Sequence, residues 1–306
     1  MSLNLSGLLL PITTPFTPNQ EIDFAGLKKN LEAWNQIGLT GYVVLGSTGE
    51  RMHLDEREYV EVIAATRAAV PATHTFIAGA GQQSTRGTIS EIKRAANAGA
   101  DAVLVITPNF YRAAITPHAL LEHYAAVADA SPVPVILYSM PDLTGIKIEP
   151  DTAALLSQHQ NIVGMKDSSN DIEKFAETVR VARAGFAMTI GNGTVFADAL
   201  RAGAQGGILA VGCAVPELCL EIFRAVHAGE FDRAEALQTR LTPLARAVTK
   251  TYGIGGLKTA MEMAGYTGGA VRVPLQRPGS DATAEISKLL SEAIGETKAK
   301  VSEARP

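Results

Sequence analysis

The sequence predicts a (β/α)8 barrel with a C-terminal helical extension. Eight short apolar runs occur along the first two-thirds of the 306-residue chain, each four to six residues long, and stretches with helical spacing separate them. Such runs are typical of strands that are buried on both faces, and eight strand–helix units in succession predict a closed barrel. A doubly wound open sheet is the competing architecture. The runs lie at residues 8–12, 42–45, 75–78, 102–106, 133–138, 162–165, 187–190 and 207–211.

Two of the stretches between these runs have clear signals for amphipathic helices. Residues 55–70 place Tyr59 and Ile63 on one face, and two acidic residues stand at the start of the segment. Acidic side chains stabilise the positive end of a helix dipole, so the helix is expected to begin there. Residues 84–98 open with a serine–threonine pair and end just before Gly99, a suitable C-terminal cap.

The strand signal stops after Gly229. Three segments with helical patterns follow, at residues 231–250, 256–264 and 282–301. We therefore expect two parts, a barrel at residues 1–228 and a helical region at residues 229–306 that packs against it.

Composition narrows the class of protein. Hydrophobic residues make up 46% of the chain, charged residues 19%, and the formal net charge is −4. These values predict a globular protein without the basic surplus of a nucleic-acid-binding domain. The two cysteines, Cys213 and Cys219, lie in apolar segments, which disfavours a disulfide scaffold.

Targeting and metal-binding signals are weak. The N-terminus has no basic targeting segment, and no apolar run is long enough to span a membrane, so we expect a cytoplasmic protein. The six histidines lack the spacing of metal ligands, so we expect no metal site and assign all six to surface or capping roles.

Barrel enzymes hold their catalytic groups at the carboxyl ends of the strands. Among the polar residues that follow the apolar runs, Lys166 stands out because it ends a strand with no other charge. Desolvation there disfavours the ammonium form, and a neutral amine can attack a ketone to form a Schiff base. The alternative is a lysine that reaches solvent or pairs with Asp167.

Two further features lie at other strand ends. Tyr138 ends the strand before that of Lys166, and adjacent strands lie about 5 Å apart, so its hydroxyl is expected to reach the lysine nitrogen and to transfer protons. The turn Gly46-Ser47-Thr48-Gly49-Glu50 offers two hydroxyls and several backbone amides ahead of a helix, which favours a carboxylate. A structural core tyrosine and an ordinary turn are the alternatives. The turn lacks the lysine of a phosphate-binding loop, so nucleotide binding is disfavoured.

These residues, in this order, resemble the dihydrodipicolinate synthase/N-acetylneuraminate lyase superfamily of class I, Schiff-base aldolases. The resemblance covers nearly the whole chain. Residues 155–168 and 252–258 most resemble 4-hydroxy-2-oxoglutarate aldolases. The matching motifs are Gly46-Ser47-Thr48-Gly49-Glu50, Thr107-Pro108-x-x-Tyr111, Tyr138-x-x-Pro141-x-x-Thr144-Gly145 and Gly164-Met165-Lys166-Asp167-Ser168.

The resemblance implies a role for each matched residue. Lys166 would form an imine with pyruvate or another 2-oxo acid, Tyr138 would be the acid/base beside it, and Ser47 with Thr48 would hold the substrate carboxylate. No metal or organic cofactor is required, because the imine is itself the electron sink. The further positions that the resemblance assigns to the substrate pocket are Gly46, Ser168, Gly191 and, through its backbone, Ile208.

The resemblance also implies a homo-oligomer, a tetramer built from tight dimers. Tyr111 would complete the proton relay from a neighbouring subunit. Phe110 is the alternative for this position, depending on a small insertion in the loop.

Departures from the family pattern narrow the substrate. Dihydrodipicolinate synthases have an arginine two positions after the proline of the Tyr-x-x-Pro motif, whereas this chain has Leu143 there, preceded by Asp142. Leucine cannot make the bidentate contact that an arginine makes with a carboxylate, so lysine biosynthesis is disfavoured. We expect a small-molecule substrate, a 4-hydroxy-2-oxo acid such as 4-hydroxy-2-oxoglutarate, with Arg112 as a candidate for its distal carboxylate. The alternatives are 2-keto-3-deoxy sugar acids, the dihydrodipicolinate synthase reaction, and a barrel that binds a 2-oxo acid without catalysis.

Overall fold

Eight parallel strands form a closed barrel, in sequence order, in the computed structural model, which describes residues 3–295. Each strand pairs with its sequence neighbours, and the first pairs with the eighth. The predicted (β/α)8 barrel is confirmed and the open sheet is excluded. The strands are β1 (Gly7–Pro11), β2 (Gly41–Val44), β3 (Thr75–Ala80), β4 (Ala102–Ile106), β5 (Val135–Ser139), β6 (Ile162–Asp167), β7 (Ala187–Ile190) and β8 (Gly206–Ile208).

Helices alternate with the strands and cover the outside of the barrel. Those of the barrel are α1 (Phe24–Trp34), α2 (Glu56–Ala69), α3 (Thr85–Asn97), α4 (Pro117–Ala130), α5 (Pro141–Thr144), α6 (Pro150–Ser157), α7 (Ile172–Val181), α8 (Phe196–Arg201) and α9 (Pro216–His227). Three more follow, α10 (Phe231–Arg246), α11 (Gly253–Met263) and α12 (Ser280–Ile294).

The two helices with the clearest sequence signals begin at the expected caps. Asp55 and Glu58 form a reciprocal capping box at the start of α2, in which each side chain accepts a hydrogen bond from the backbone of the other. Ser84 accepts a hydrogen bond from the backbone of Gly87 at the start of α3. Both predicted helices are confirmed to within one residue at each end.

The interior of the barrel is packed with side chains. Leu9, Val43, Ile77, Leu104 and Ile136 point inward from successive strands and contact one another. The opposite faces of the strands pack under the helices. Burial on both faces explains why the strands read as continuous apolar runs rather than as alternating ones.

Three predicted boundaries were wrong by three or more residues, and one of them is the start of the helix predicted at residues 256–264, which begins at Gly253. The eighth run was predicted as a strand over residues 207–211, but β8 ends at Ile208 and Ala210–Cys213 forms a 3-10 turn. Val211 and Cys213 in this turn are buried, so the apolar pattern continues after the strand has ended. The helix predicted over residues 231–250 ends at Arg246, and Ala247–Thr251 forms a wider π-type turn.

The last predicted helix, at residues 282–301, corresponds to α12 as far as the structure describes it. Residues 296–306 lie outside the described residues, and so does the end of that predicted helix.

His123 corrects the expectation that all six histidines have surface or capping roles. It lies on α4 and is 7% exposed, and its Nδ1 is 2.9 Å from Thr85 Oγ1 on α3. Burial lowers the pKa of His123 to about 4, so the ring is neutral at ordinary pH. The packing of α4 against α3, which no local pattern in the sequence reports, places this histidine inside.

Within residues 3–295, no helix combines the length and apolar character that crossing a membrane needs. The same residues bring no three metal-ligating side chains together. Cys213 and Cys219 are both buried and free.

Candidate active site

Lys166 and Tyr138 face each other on adjacent strands. They are register partners on β6 and β5, and they are 4% and 3% exposed. Lys166 Nζ lies 4.3 Å from the centroid of the Tyr138 ring. The carboxyl ends of β5 and β6 therefore bring a buried amine and a buried phenol together inside the barrel mouth.

The pairing of Lys166 with Asp167, the alternative left open by the sequence, does not occur. Adjacent strand residues point to opposite faces, and the Asp167 carboxylate accepts a hydrogen bond from the backbone N–H of Ser169 at 2.7 Å. Burial raises the pKa of Asp167. Lys166 has no ion-pair partner in the part of the chain that the structure describes.

Tyr138 is linked to the turn after β2. Its hydroxyl lies 3.0 Å from Ser47 Oγ. Burial by itself would raise the pKa of Tyr138, but the charge of Lys166 and hydrogen bonds from Ser47, Ser168 and Lys166 outweigh it, so the pKa lies below its ordinary value. A phenol of lowered pKa transfers protons more readily near neutral pH.

The turn at residues 46–50 has an unusual backbone. Ser47–Gly49 forms a 3-10 turn, and the residues on either side of the Gly46–Gly49 segment, Leu45 and Glu50, have left-handed φ angles of 54° and 55°. Each left-handed residue with a side chain costs about 1–2 kcal/mol. Such a conformation persists only where surrounding contacts hold it, and one contact is the hydrogen bond from Thr14 Oγ1 to Gly49 O at 2.8 Å.

Gly191 forms the wall beside Lys166. A Cβ atom at this position would overlap Ser168 Oγ and lie 2.5 Å from Lys166 Cε. Only glycine therefore allows the lysine and the serine their observed positions. Ile208 is fully buried within the barrel interior, in the same cluster as Tyr138.

The structure thus brings Lys166, Tyr138, Ser47, Ser168 and Gly191 together. Thr48 is 5% exposed in the same turn as Ser47. Gly46 begins that turn, and a Cβ atom there would meet only Val43 Cγ1 at 3.8 Å, so its place does not depend on lacking a side chain.

Tyr111 does not join this group within one chain. Phe110 and Tyr111 are 75% and 72% exposed in the loop after β4, and their rings pack edge to face at 5.1 Å. Gln83 Oε1 accepts hydrogen bonds from the backbone N–H groups of Asn109 and Phe110, at 2.9 and 2.8 Å. Gln83 therefore fixes the backbone of the loop, while the two aromatic rings are exposed to solvent. That Tyr111 or Phe110 contributes to the active site of a neighbouring subunit stays a prediction.

Sequence reasoning missed two buried ion pairs, one made by the last residue of the turn and one by the residue after it. Glu50 pairs with Lys258 of α11, and Arg51 pairs with Glu91 of α3. The signal for the first was Lys258 itself, the one charge within residues 253–261 of an otherwise apolar helix. No local signal in the sequence names Glu50 as its partner.

Comparison with known proteins identifies relatives over the whole length. A model described as the dihydrodipicolinate synthetase family matches residues 4–293. The 4-hydroxy-tetrahydrodipicolinate synthase of Methanothrix thermoacetophila is 33% identical over 288 residues, which cover 93% of this chain and 96% of that protein. The probable mitochondrial 4-hydroxy-2-oxoglutarate aldolase of Emericella nidulans is 33% identical over 294 residues, 94% of each chain. The crystal structure of a dihydrodipicolinate synthase from Bacillus anthracis superposes with a TM-score of 0.91 at 28% identity and covers 94% of this chain and 98% of that one.

The fold and these whole-length matches define the class of protein, the superfamily of class I aldolases that use pyruvate. Within that class, the chain belongs to the dihydrodipicolinate synthetase family. The family resemblance seen in the sequence motifs is confirmed.

Proposed function

We propose that the protein is a Schiff-base aldolase that cleaves a 4-hydroxy-2-oxo acid to pyruvate and an aldehyde, with 4-hydroxy-2-oxoglutarate as the first candidate substrate. The main support is the arrangement at the ends of β5 and β6. Lys166 is a buried amine without a carboxylate partner among the described residues, and Tyr138 beside it is a phenol of lowered pKa.

In the proposed reaction, the neutral amine of Lys166 attacks the C2 carbonyl of the substrate. The resulting carbinolamine loses water, with Tyr138 as the proton donor, to give a protonated imine. Tyr138, now a phenolate, takes the proton of the C4 hydroxyl while the C3–C4 bond breaks. The electron pair of that bond moves into the imine to form an enamine, and the aldehyde leaves.

Protonation of the enamine at C3 and hydrolysis of the imine then release pyruvate and free Lys166. The protonated imine accepts the electron pair, so we propose that no metal or organic cofactor takes part. The carboxylate next to the imine would bind Ser47, Thr48 and the backbone amides of their turn, at the start of the segment that leads to α2. Ser168 and Gly191 would line the same pocket, with Gly46 and Ile208 beside them.

Arg112 supports a substrate with a second carboxylate. Its Cδ, Nε and Nη1 atoms lie 3.2 Å from the place that a Cβ atom of Gly145 would occupy, so the side chain crosses the end of α5. Arg112 is exposed and has no ion-pair partner among residues 3–295, and Asp142 in the same turn pairs with Lys250 instead, at 3.7 Å. The guanidinium of Arg112, free of ion pairs and next to α5, can bind the distal carboxylate of 4-hydroxy-2-oxoglutarate.

Leu143 favours a second candidate, an aldolase for 2-keto-3-deoxy sugar acids. It is 58% exposed in the same turn, at the place where a synthase for aspartate semialdehyde has an arginine. An uncharged side chain there suits a hydroxylated, uncharged tail better than a charged one. For the same reason we expect no consumption of aspartate semialdehyde in the presence of pyruvate.

The test is pyruvate release by the purified protein from 4-hydroxy-2-oxoglutarate, with Lys166→Ala as the control. We expect release that depends on Lys166, together with a borohydride-trapped pyruvate adduct in the wild-type protein alone. Undiminished release by the alanine variant contradicts the Schiff-base mechanism.

Arg112→Ala separates the two substrate classes. Loss of a charge-assisted hydrogen bond is expected to raise KM for 4-hydroxy-2-oxoglutarate roughly tenfold or more, while KM for a 2-keto-3-deoxy sugar acid stays unchanged. Cleavage of the sugar acid alone would move the proposal to the second candidate.

We also propose that the protein acts in the cytoplasm as a homo-oligomer, a dimer or tetramer. In it the exposed loop at Phe110 and Tyr111 would reach the active site of a neighbouring subunit and complete the proton relay. Sedimentation that shows only monomer at micromolar concentration, with full activity, contradicts this arrangement.

A further inference from the structure

Glu50, the last residue of the turn at residues 46–50, forms a buried ion pair with Lys258 of α11. Their side chains are 1% and 0% exposed, and Lys258 Nζ lies 2.5 Å from Glu50 Oε1. Nζ also donates to the carbonyl oxygens of Thr14 and Ala270, at 2.7 and 2.6 Å. All three N–H groups of the ammonium are therefore used, and the pair has one preferred geometry.

Glu50 is held from a second side. Its Oε2 accepts a hydrogen bond from the backbone N–H of Arg272 at 3.0 Å. Its backbone is left-handed, a conformation that a residue with a side chain keeps only when surrounding contacts hold it there. The contacts with Lys258 and with the backbone of Arg272 hold Glu50 in this conformation.

Thr14 connects Lys258 to the turn by a second route. Its carbonyl oxygen accepts from Lys258, and its hydroxyl donates to the carbonyl oxygen of Gly49 at 2.8 Å. The peptide between Gly49 and Glu50 is thus held on both sides by groups that also contact Lys258.

We propose that Glu50 and Lys258 are positioning residues for the binding of the substrate carboxylate, a role that rests on the aldolase function proposed above. The ion pair holds the turn so that Ser47 keeps its hydrogen bond to Tyr138 while Thr48 and the turn amides keep the geometry that binds a carboxylate. Helix α11 thereby sets the affinity for pyruvate without touching it.

An apolar pair could fill the same volume at a lower desolvation cost. Apolar contacts are non-directional, however, and do not select one backbone conformation. Hydrogen bonds of a charged group are directional, and at Lys258 they end on three separate segments of the chain. A residue that fixes the position of a turn needs such directional contacts, whereas a residue that only fills space in the core does not.

The experiment measures the pyruvate concentration that half-saturates borohydride trapping on Lys166, and the trapping rate at saturation. The variants are Lys258→Met and Glu50→Gln/Lys258→Met. The double variant has no uncompensated buried charge and is the one to use if the single variant does not fold. Leu290→Ala is the matched control, since it removes a buried side chain from α12, which packs against α11, and leucine takes no part in the hydrogen bonds of the ion pair.

We expect both ion-pair variants to need roughly tenfold more pyruvate for half-saturation, with a smaller change in the saturated trapping rate. The double variant is expected to regain stability but not pyruvate affinity. Leu290→Ala is expected to lower stability and leave half-saturation unchanged.

Unchanged half-saturation in the ion-pair variants overturns the positioning role, and so does an equal shift in Leu290→Ala. These failures leave the proposed function standing, because the wild-type protein still forms the Lys166 adduct. Absence of any Lys166-dependent adduct in the wild-type protein overturns the proposed function, and the positioning role with it.

Discussion

Two buried lysines of this barrel are similarly enclosed, but only one of them has an ion-pair partner among the described residues. Lys166 and Lys258 are 4% and 0% exposed, and each places Nζ over an aromatic ring, at 4.3 Å from the Tyr138 centroid and 4.6 Å from the Phe16 centroid. Lys258 donates to a carboxylate and two carbonyls, whereas Lys166 has no ion-pair partner among the described residues.

The comparison shows that burial alone does not identify a reactive lysine. A buried ammonium whose three N–H groups are all satisfied is a structural element, even though burial lowers the pKa of Lys258 to about 8. A buried amine that faces only a phenol and a barrel wall retains a reactive lone pair when neutral. The number of acceptors around the nitrogen, rather than its exposure, distinguishes the two.

The largest expected effect comes from replacing each lysine by methionine. Lys166→Met should lower kcat/KM roughly a thousandfold or more and leave the free energy of unfolding unchanged or about 1–2 kcal/mol higher, because a buried polar nitrogen without a carboxylate partner is replaced by an apolar side chain. Lys258→Met should lower the free energy of unfolding by about 3–5 kcal/mol, because Glu50 stays buried without its partner. Urea unfolding and pyruvate release measure the two quantities, and equal stability losses in the two variants would refute the contrast.

Gly191→Ala sharpens the comparison at the Lys166 site alone. The added methyl group would overlap Ser168 Oγ and press on Lys166 Cε, so we expect kcat/KM to fall about 10- to 100-fold through misplacement of the amine. Gly279→Ala is the control, since a Cβ atom at Gly279 meets nothing within 4 Å. Equal activity in the two variants would show that Lys166 tolerates displacement.

Glu58→Gln tests the ion pair that Arg272 makes next to the Lys258 site. Hydrogen bonds from Arg272 lower the pKa of Glu58 below its ordinary 4.5. Because the folded pKa is depressed, the stabilisation is fully present above the unfolded pKa and is lost as pH falls through the folded one. We expect the variant to be about 1–2 kcal/mol less stable at pH 7 and to converge with the wild type in acid.

Unfolding curves across pH measure this convergence. Glu61→Gln, which removes an exposed pair with Arg57, is the control and should change stability little at any pH. A Glu58→Gln deficit that stays constant into acid would mean that the carboxylate charge is not its source.

The smallest expected effect is a shift of the pH profile in Ser47→Ala. The Ser47 hydroxyl lowers the pKa of Tyr138, so its removal should raise that pKa and move the limb of kcat that needs the phenolate to higher pH. The measured quantity is the pH at which kcat reaches half of its maximum. The maximum itself is less informative, because Ser47 also takes part in the proposed binding of the carboxylate. Ser90→Ala, on the surface of α3, should leave the limb in place, and an unmoved limb in Ser47→Ala would contradict the link to Tyr138.

Much of the fold and of the candidate site was readable from local pattern. The eight apolar runs predicted the barrel because each strand is buried on both faces. The proximity of Lys166 to Tyr138 followed from their places at the ends of consecutive strands, which pair in a parallel barrel. The boundary error at β8 fell where a buried turn continues an apolar pattern, at Val211 and Cys213.

The sequence by itself determined the strand and helix order, the residues at the strand ends and the family motifs, because these depend on contacts between residues close in sequence or on neighbouring strands. Only the tertiary structure decided that Lys258 has a carboxylate partner, Glu50, 208 positions away in the sequence. It likewise decided that Lys166 has none among the described residues. It also decided that His123 is buried and that Arg112 lies across Gly145. These outcomes depend on how α11, α4 and the loop after β4 pack in three dimensions, and hydrophobic periodicity sets which face of a helix is buried but not which partner it meets.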